Sequence, residues 1–424
     1  MNRAPTAEIA YGKGRLPLRL DPDLADWRVY RPQSVGALPD PRAAFLDACR
    51  KPTAADPLNA CVTSGDRVVI VTSDGTRPVP NRLLIPWLLE VLPVSPDNVT
   101  VLIGTGTHRP NTPEEIREMF GDVGMVVDVV NHDAYDAASN ARIGVTASGI
   151  PVTVDRRYLE ADKRIVIGFI EPHFFAGFSG GAKGVFPGVA GIETIPHLHS
   201  YRLIADALST WGELDRNPIQ REIAEMIALC PPNFLVNVTL NEAKQISGVF
   251  AGHYHEAHRA GCAQAKEASM VPVPERFPIV VTSNSGFPLD QNLYQTVKGM
   301  SAAARIVADG GSIVTVSECS DGIPEHGNFG EIVRKGGSPS AIMEWIRNLE
   351  LPRLDQWQAQ ILAGIQLRAD VGLYSRLAPE LVESLSLRPI ARLQEELDDM
   401  LRRIGGRPSV AVLPDGPLTI PYLT

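Results

Sequence analysis

Hydrophobic positions along the chain fall into two regimes. In the first, a run of β-branched and aliphatic residues ends abruptly in a loop of small, polar and glycine residues. RVVIVTSDGTRPVP from Arg67, NVTVLIGTGTHRP from Asn98 and RIVIGFIEPHFFAGFSGG from Arg164 repeat this design. Continuous rather than alternating apolar runs mark strands of a parallel sheet covered on both faces. The fold class is therefore α/β with mostly parallel sheets. Ligands in such sheets bind beyond the carboxyl ends of the strands, so the three polar loops are expected to meet at one edge.

The second regime is helical. Residues 80–92 and 113–120 carry helical spacing, the latter opened by Thr112 as N-cap with Pro113 at the first helical position. Asn217-Pro218 opens another helix by the same logic, and FLVNVTL with QISGVFA reads as a hairpin around Asn241. HYHEAHRAGCAQAKEAS follows as a helix; helices are also predicted over residues 339–349 with Ser338 as cap, 355–367 and 390–404. Residues 1–62 read as an extended, proline-dotted lead-in with one short helix at 41–50. Two prolines in VPVPERF, residues 271–277, break any period and mark a linker. The chain is thus divided into an N-terminal α/β domain, 1–272, and a C-terminal α/β domain, 273–424, whose opening PIVVTSNSGFPLD echoes VVIVTSDGTRPVP of the first. The cleft between two such domains is the expected place for a ligand.

Composition narrows the partner. At 424 residues two domains can each bury a core. A net charge of −9 with scattered basic residues lacks the footprint of a nucleic-acid binder, which leaves a small molecule. Five widely spaced cysteines without a CxxC pair suggest neither zinc nor redox work, and are expected to be reduced and structural. The N-terminus carries no apolar signal region and no run approaches a membrane span, so the expectation is a cytoplasmic protein.

Candidate chemistry gathers on the three loops. His108 and His173 follow predicted strands in glycine-rich surroundings, where two imidazoles can act as acid and base on opposite faces of one carbon. Arg77 and Arg109 lie at the same edge, and either can hold a carboxylate or a phosphate. Lys183 follows Ser179-Gly180-Gly181, but Ala182 and Gly184 replace the P-loop's glycine and hydroxyl, which argues against nucleotide hydrolysis and leaves a covalent attachment point. His197 and His199 are two apart, and spacing alone does not choose between them. His253, His255 and His258 read as a solvated helix end, His132 as a turn residue, and His326 as part of a glycine-rich loop. Of Phe174, Phe175 and Phe178, core packing is the plainer reading than a substrate pocket. No GxSxG, HExxH or GxGxxG motif is found.

Together SDGTRP (73–78), GTGTHRP (104–110), EPHFFAGFSGGAKGVFPG (171–188), His199, YQTVK (294–298) and DQW (355–357) resemble, in order, the nickel-dependent lactate racemase family. The resemblance implies a nickel-pincer nucleotide, a pyridinium mononucleotide with sulfur and carbon donors to nickel, tethered through a thioamide to Lys183, with His199 as the protein's nickel ligand. It implies His108 and His173 as the acid/base pair, Asp74, Gly75, Thr76 and Arg77 as the loop around cofactor and substrate, and Tyr294, Gln295, Lys298 and Trp357 as substrate contacts, with Arg77 and Lys298 on the carboxylate.

The activity implied is racemisation or epimerisation of a 2-hydroxy acid. The C2 hydrogen is barely acidic, so it leaves as hydride to the cofactor rather than as a proton; one histidine takes the hydroxyl proton, and the other returns one after the keto group turns. The resemblance also implies dependence on separate cofactor-building enzymes. Lactate, malate, 2-hydroxyglutarate, phenyllactate and sugar acids all remain open as substrates. Two rival functions are a nicotinamide-dependent 2-hydroxyacid dehydrogenase, disfavoured by the missing dinucleotide turn, and a non-catalytic carboxylate binder.

Overall fold

Each of the three long apolar runs forms a buried parallel strand. A computed structural model describes residues 5–324 and 327–424, so His326 lies outside the described residues. The sheet strands, in chain order, are β1 (Asp26–Val29), β2 (Val68–Ser73), β3 (Val99–Gly104), β4 (Asp128–Asn131), β5 (Lys163–Phe169), β6 (Phe234–Leu240), β7 (Ile246–Gly252), β8 (Phe277–Ser283), β9 (Val307–Val316), β10 (Asp370–Tyr374), β11 (Arg388–Pro389) and β12 (Ser409–Leu413). They make two six-stranded sheets among the described residues, one in each of two units.

The first unit comprises Ser34–His199 and Asp206–Ala268. Its strand order is β7-β6-β5-β2-β3-β4, with β7 antiparallel to β6 and the remaining pairs parallel. Since β5, β2 and β3 are neighbours in register, Val71 beside Val166 and Ser73 beside Gly104, the loops that follow them leave one edge together, as expected. Apolar side chains of these strands pack with Phe45, Leu84, Leu88 and Phe120 from the covering helices. Local signals set those helices. Asp40 accepts from Ala43 N at 2.8 Å, Thr112 and Glu115 form a reciprocal capping box, and Asn217 accepts from Ile219 N at 2.9 Å. Each such cap contributes about 1 kcal/mol.

His132 is not a turn residue. It is fully buried, its Nδ1 2.9 Å from Asp155 Oδ2 and its Nε2 2.9 Å from the carbonyl oxygen of Ala190. The buried ring thus bridges Asp155 and the Ala190 carbonyl. Arg157 shares Asp155, with Nη2 2.6 Å from Oδ2. The group pins Ala190, in the segment between Lys183 and His199. His132→Ala leaves a buried carboxylate and a carbonyl short of a hydrogen-bond partner and is expected to lower unfolding free energy by roughly 3 kcal/mol, read from urea melts.

The second unit comprises, of the described residues, 5–33, Ser200–Ala205 and Ser269–Thr424. Its sheet runs β11-β10-β9-β8-β12-β1, all parallel. Helix Leu293–Ala303 covers one face through Leu293, Val297 and Met300, packed against Phe277, Val280 and Ile313.

Three sequence expectations change here. The N-terminal lead-in does not group with the rest of 1–272: residues 5–33 belong with the second unit, where β1 pairs with β12 from Asp26 opposite Ser409 to Val29 opposite Val412. The lead-in is also structured, with Thr6–Tyr11 and Gly14–Arg19 forming an antiparallel hairpin. VPVPERF is not a linker, since Met270–Val273 pairs in parallel with Ile420–Leu423. Its prolines are tolerated because this is a two-stranded ribbon, where a missing N–H breaks no central ladder. The cysteines are free, four of them buried. No helix among the described residues is long and apolar enough to cross a membrane.

Candidate active site

At the end of β2 the backbone passes into a loop whose first side chain, Asp74, is buried. Its Oδ1 accepts from Thr76 Oγ1 at 2.6 Å, and its Oδ2 lies 2.7 Å from His108 Nδ1. Burial pushes the Asp74 carboxyl upward, but the bonds from His108 and Thr76 and the charge of Arg77 outweigh it and hold the group below its usual value. An ionised Asp74 draws the proton of neutral His108 to Nδ1 and leaves a lone pair on Nε2, the tautomer of a general base. The His108 side chain is 55% exposed, so its ring is accessible at the strand edge.

The Asp74 loop is itself held. Gly75 N donates to Asn111 Oδ1 at 3.0 Å, and Asn111 is fixed by Asn131, its N–H donating to Asn131 Oδ1 at 2.9 Å. Sequence reading passed over both asparagines, whose amides carry no motif. Arg109 is turned away from this role, since its guanidinium forks onto Glu115 at 2.8 and 2.6 Å and holds that carboxyl down to about 2. Arg77, half-buried, lines the recess described next.

Beyond β5 the chain makes a short hairpin, Pro172–His173 against Gly177–Phe178. His173 stacks on Phe174, centroids 5.0 Å apart, and meets Phe175 edge-on at 4.5 Å. Its Nδ1 accepts from Ala176 N at 3.2 Å. Phe175 also lies edge-on to His199 at 5.6 Å, so one buried ring separates the two imidazoles. Phe178 is core with Ile170, Cys262 and Ala265, as expected, while Phe174 and Phe175 serve the histidines.

His199 caps the short helix Ile195–Leu198, and its Nδ1 lies 2.9 Å from Ile195 O. Burial is the main force that pushes its pKa down to about 4; the Ile195 bond opposes this, and the charges of Lys183 and His108 add to it. His199 is therefore neutral, with its proton committed at Nδ1 and a lone pair on Nε2, which suits a metal ligand. His197 is only half-buried.

Lys183 sits in the turn Gly181–Gly184 and lines a recess of about 390 Å³, part of it open to solvent, with Ser73, Arg77, Gly168, Ser179 and Asn237. Burial first, then Arg77, lowers its ammonium to about 8 against the pull of Glu171. An amine near 8 is a ready nucleophile toward acyl groups. Among the described residues no group of three or more His, Cys, Asp or Glu side chains could hold a metal.

His258 corrects another expectation. His253 and His255 are exposed, but the helix Glu256–Ser269 turns His258 inward with Ala257, Gly261 and Cys262. Its Nε2 donates to Ser179 O at 2.8 Å, and burial pushes its pKa down to about 4. An unfolded chain protonates this group below about 6.5 while the folded chain does not, so stability rises with pH across that window and is lost as pH falls from about 6.5 to about 4. His258→Gln is expected to flatten that loss, read from urea midpoints at pH 7, 5.5 and 4.5.

In the second unit, Tyr294, Gln295 and Lys298 lie on helix Leu293–Ala303, capped by Asn292. Tyr294 and Lys298 are one turn apart and share a face. Trp357 Nε1 lies 3.3 Å from Tyr294 OH, which in turn lies 3.4 Å from Asp355 Oδ1. Gln295 Oε1 is buried and accepts no hydrogen bond among the described residues, as an acceptor kept for a ligand would be.

Comparison with known proteins agrees with the resemblance drawn from the motifs. Residues 11–212 match the lactate racemase N-terminal domain, and residues 274–420 match the lactate racemase C-terminal domain. The lactate racemase of Lactiplantibacillus plantarum is 37% identical over 86% of this chain and 87% of its own length. That of Thermoanaerobacterium thermosaccharolyticum is 35% identical over 96% of this chain and 97% of its own. The apoprotein structure of a lactate racemase from T. thermosaccharolyticum superposes with a TM-score of 0.91 at 33% identity, covering 99% of this chain and all of that one. A Thermotoga maritima protein at 18% identity and TM-score 0.65 shares the fold alone. With both domains matched and the relatives aligned over most of its length, the chain belongs to the lactate racemase family and is an isomerase.

Proposed function

We propose that the chain inverts the hydroxyl-bearing carbon of a 2-hydroxy acid, using a nickel-pincer nucleotide joined covalently to Lys183 and ligated through His199. Lactate is the leading substrate, because both curated relatives are named for it. The observation that carries the reading is a lysine near pKa 8 beside a recess, acting electrostatically on a neutral imidazole whose Nδ1 is already committed, at the same strand edge as the Asp74–His108 pair. The residues fit the group. Lys183 offers an amine for acylation, His199 offers one lone pair, and Arg77 supplies positive charge beside the recess for an anionic substituent.

When bound, the group supplies an acceptor for the electron pair of the substrate's C2–H bond. This chain handles the protons. His108 Nε2 takes the hydroxyl proton, and Asp74 stabilises the imidazolium that results. His173, held against Phe174 and Phe175, handles the proton for the opposite enantiomer. The reading gives the substrate carboxylate to Arg77 and Lys298, with Gln295, Tyr294 and Trp357 as further contacts. It also makes activity dependent on a host that builds the cofactor.

The test is racemisation of C2-deuterated L-lactate by chain made in such a host. D-lactate that keeps its deuterium is the expected product; deuterium lost to water would overturn the mechanism.

A further inference from the structure

Lys183 is presented by a turn that makes unusual demands on its surroundings. Gly180 and Gly181 adopt φ of +75° and +60°, which favour glycine. Neither position has room for a side chain either, since a Cβ on Gly180 would lie 2.6 Å from Asn237 Oδ1 and one on Gly181 2.5 Å from His258 Nδ1. Two polar side chains from elsewhere in the fold thus press directly on the turn. Asn237 comes from β6 and is fully buried; its Oδ1 accepts from Gly181 N at 2.7 Å. His258 comes from the helix Glu256–Ser269 and is 5% exposed; its Nε2 donates to Ser179 O at 2.8 Å. Ser179 Oγ completes the hold, donating to Phe169 O at 3.0 Å and accepting from Glu171 N at 2.9 Å.

A buried imidazole and a buried amide are costly unless their hydrogen bonds are made. His258 spends its Nε2 donor on Ser179 O and Asn237 its Oδ1 acceptor on Gly181 N, while Asn237 Nδ2 is anchored on its own strand by Val236 O at 3.1 Å. We propose that Asn237 and His258 are positioning residues, which clamp the Ser179–Gly181 turn from outside the loop and so direct the Lys183 amine into the recess for acylation. The inference rests on Lys183 being the attachment point.

The test acylates the full chain, made without the cofactor, with N-hydroxysuccinimidyl acetate. Lys183 Nζ displaces N-hydroxysuccinimide, an amide forms and the ammonium proton passes to solvent. Peptide mass spectrometry compares Lys183 with exposed Lys51 across pH in wild type, His258→Leu, His258→Gln and Asn237→Ala, with circular dichroism to verify folding. Wild type is expected to label Lys183 with a midpoint near pH 8, set by burial, Arg77 and Glu171. His258→Leu and Asn237→Ala are expected to change the Lys183-to-Lys51 labelling ratio at least tenfold and to move the midpoint toward that of a free lysine. His258→Gln, which keeps a donor for Ser179 O, is expected to restore the wild-type midpoint.

Unchanged ratio and midpoint in folded His258→Leu and Asn237→Ala would overturn the clamp, as would a His258→Gln profile that matches His258→Leu. If His258→Leu does not fold, Asn237→Ala decides by the same ratio. Because the reagent needs no cofactor, a wild-type chain without an adduct in a cofactor-making host would sink the tether and leave this result standing.

Discussion

Lys183→Ala, produced in a host that makes the cofactor, is expected to show the unmodified mass and to lose at least about 10⁴-fold in racemase turnover, the scale of a removed cofactor. The wild-type chain should carry an adduct on the peptide containing Lys183. The argument starts from protonation. At pH 7.5 a lysine near 8 is roughly one-quarter free amine, whereas an ordinary lysine is about one-thousandth so, a gain of roughly 200-fold in the reactive form. The same burial leaves a signature in stability. In the unfolded chain Lys183 keeps its proton up to about 10.5, while the folded chain releases it near 8. Between those values the unfolded state binds more protons, so stability rises with pH there and the full penalty is present below pH 8. Lys183→Met without cofactor should therefore melt higher than wild type at pH 7, with the difference shrinking as pH rises through 8 toward 10.5. A variant no more stable at pH 7 would count against the burial of that charge.

Asp74→Asn is expected to lower kcat by about 10²–10⁴-fold with little change in melting temperature. The substitution keeps the shape of a side chain that is 5% exposed, and Thr76 retains a partner. It removes the negative charge that faces His108 Nδ1 and that, on the proposed function, stabilises the imidazolium formed there. His108→Gln removes the base itself, so the double variant should be no slower than His108→Gln alone. That non-additivity is the mark of two residues acting as a unit. Additive losses would mean that Asp74 acts on something other than His108.

The residues that sequence reading found and those it missed differ in the distance over which their signals act. Strands β2, β3 and β5 announced themselves by uninterrupted apolar runs, and the caps Thr112, Asn217 and Ser338 by residues directly before their helices. His108, His173 and Lys183 stood out because each follows such a strand in a glycine-rich loop. Asp74 was read only as part of a loop; its role as partner of His108 depends on a contact across 34 positions. Asn237 carries no signal for the same reason, and the contact of His258 is equally remote: they are set against the turn from 56 and 79 positions away. His258 was misread outright, because the exposed His253 and His255 beside it suggested one solvated group, when the helix that begins at Glu256 separates their faces.

The pairing of β1 with β12 also bears on how the chain is made. Asp26–Val29 is synthesised well ahead of its partner Ser409–Leu413, with most of the intervening chain still to come. At ordinary elongation rates the strand waits on the order of tens of seconds before its edge can close. The sheet of the second unit is therefore finished only after the first unit's sequence has been translated in full. A fragment that begins at residue 273, where the prolines invite a cut, would release β12 as an open edge and lose Met270, Val271 and Pro272, which pair with Ile420, Pro421 and Tyr422.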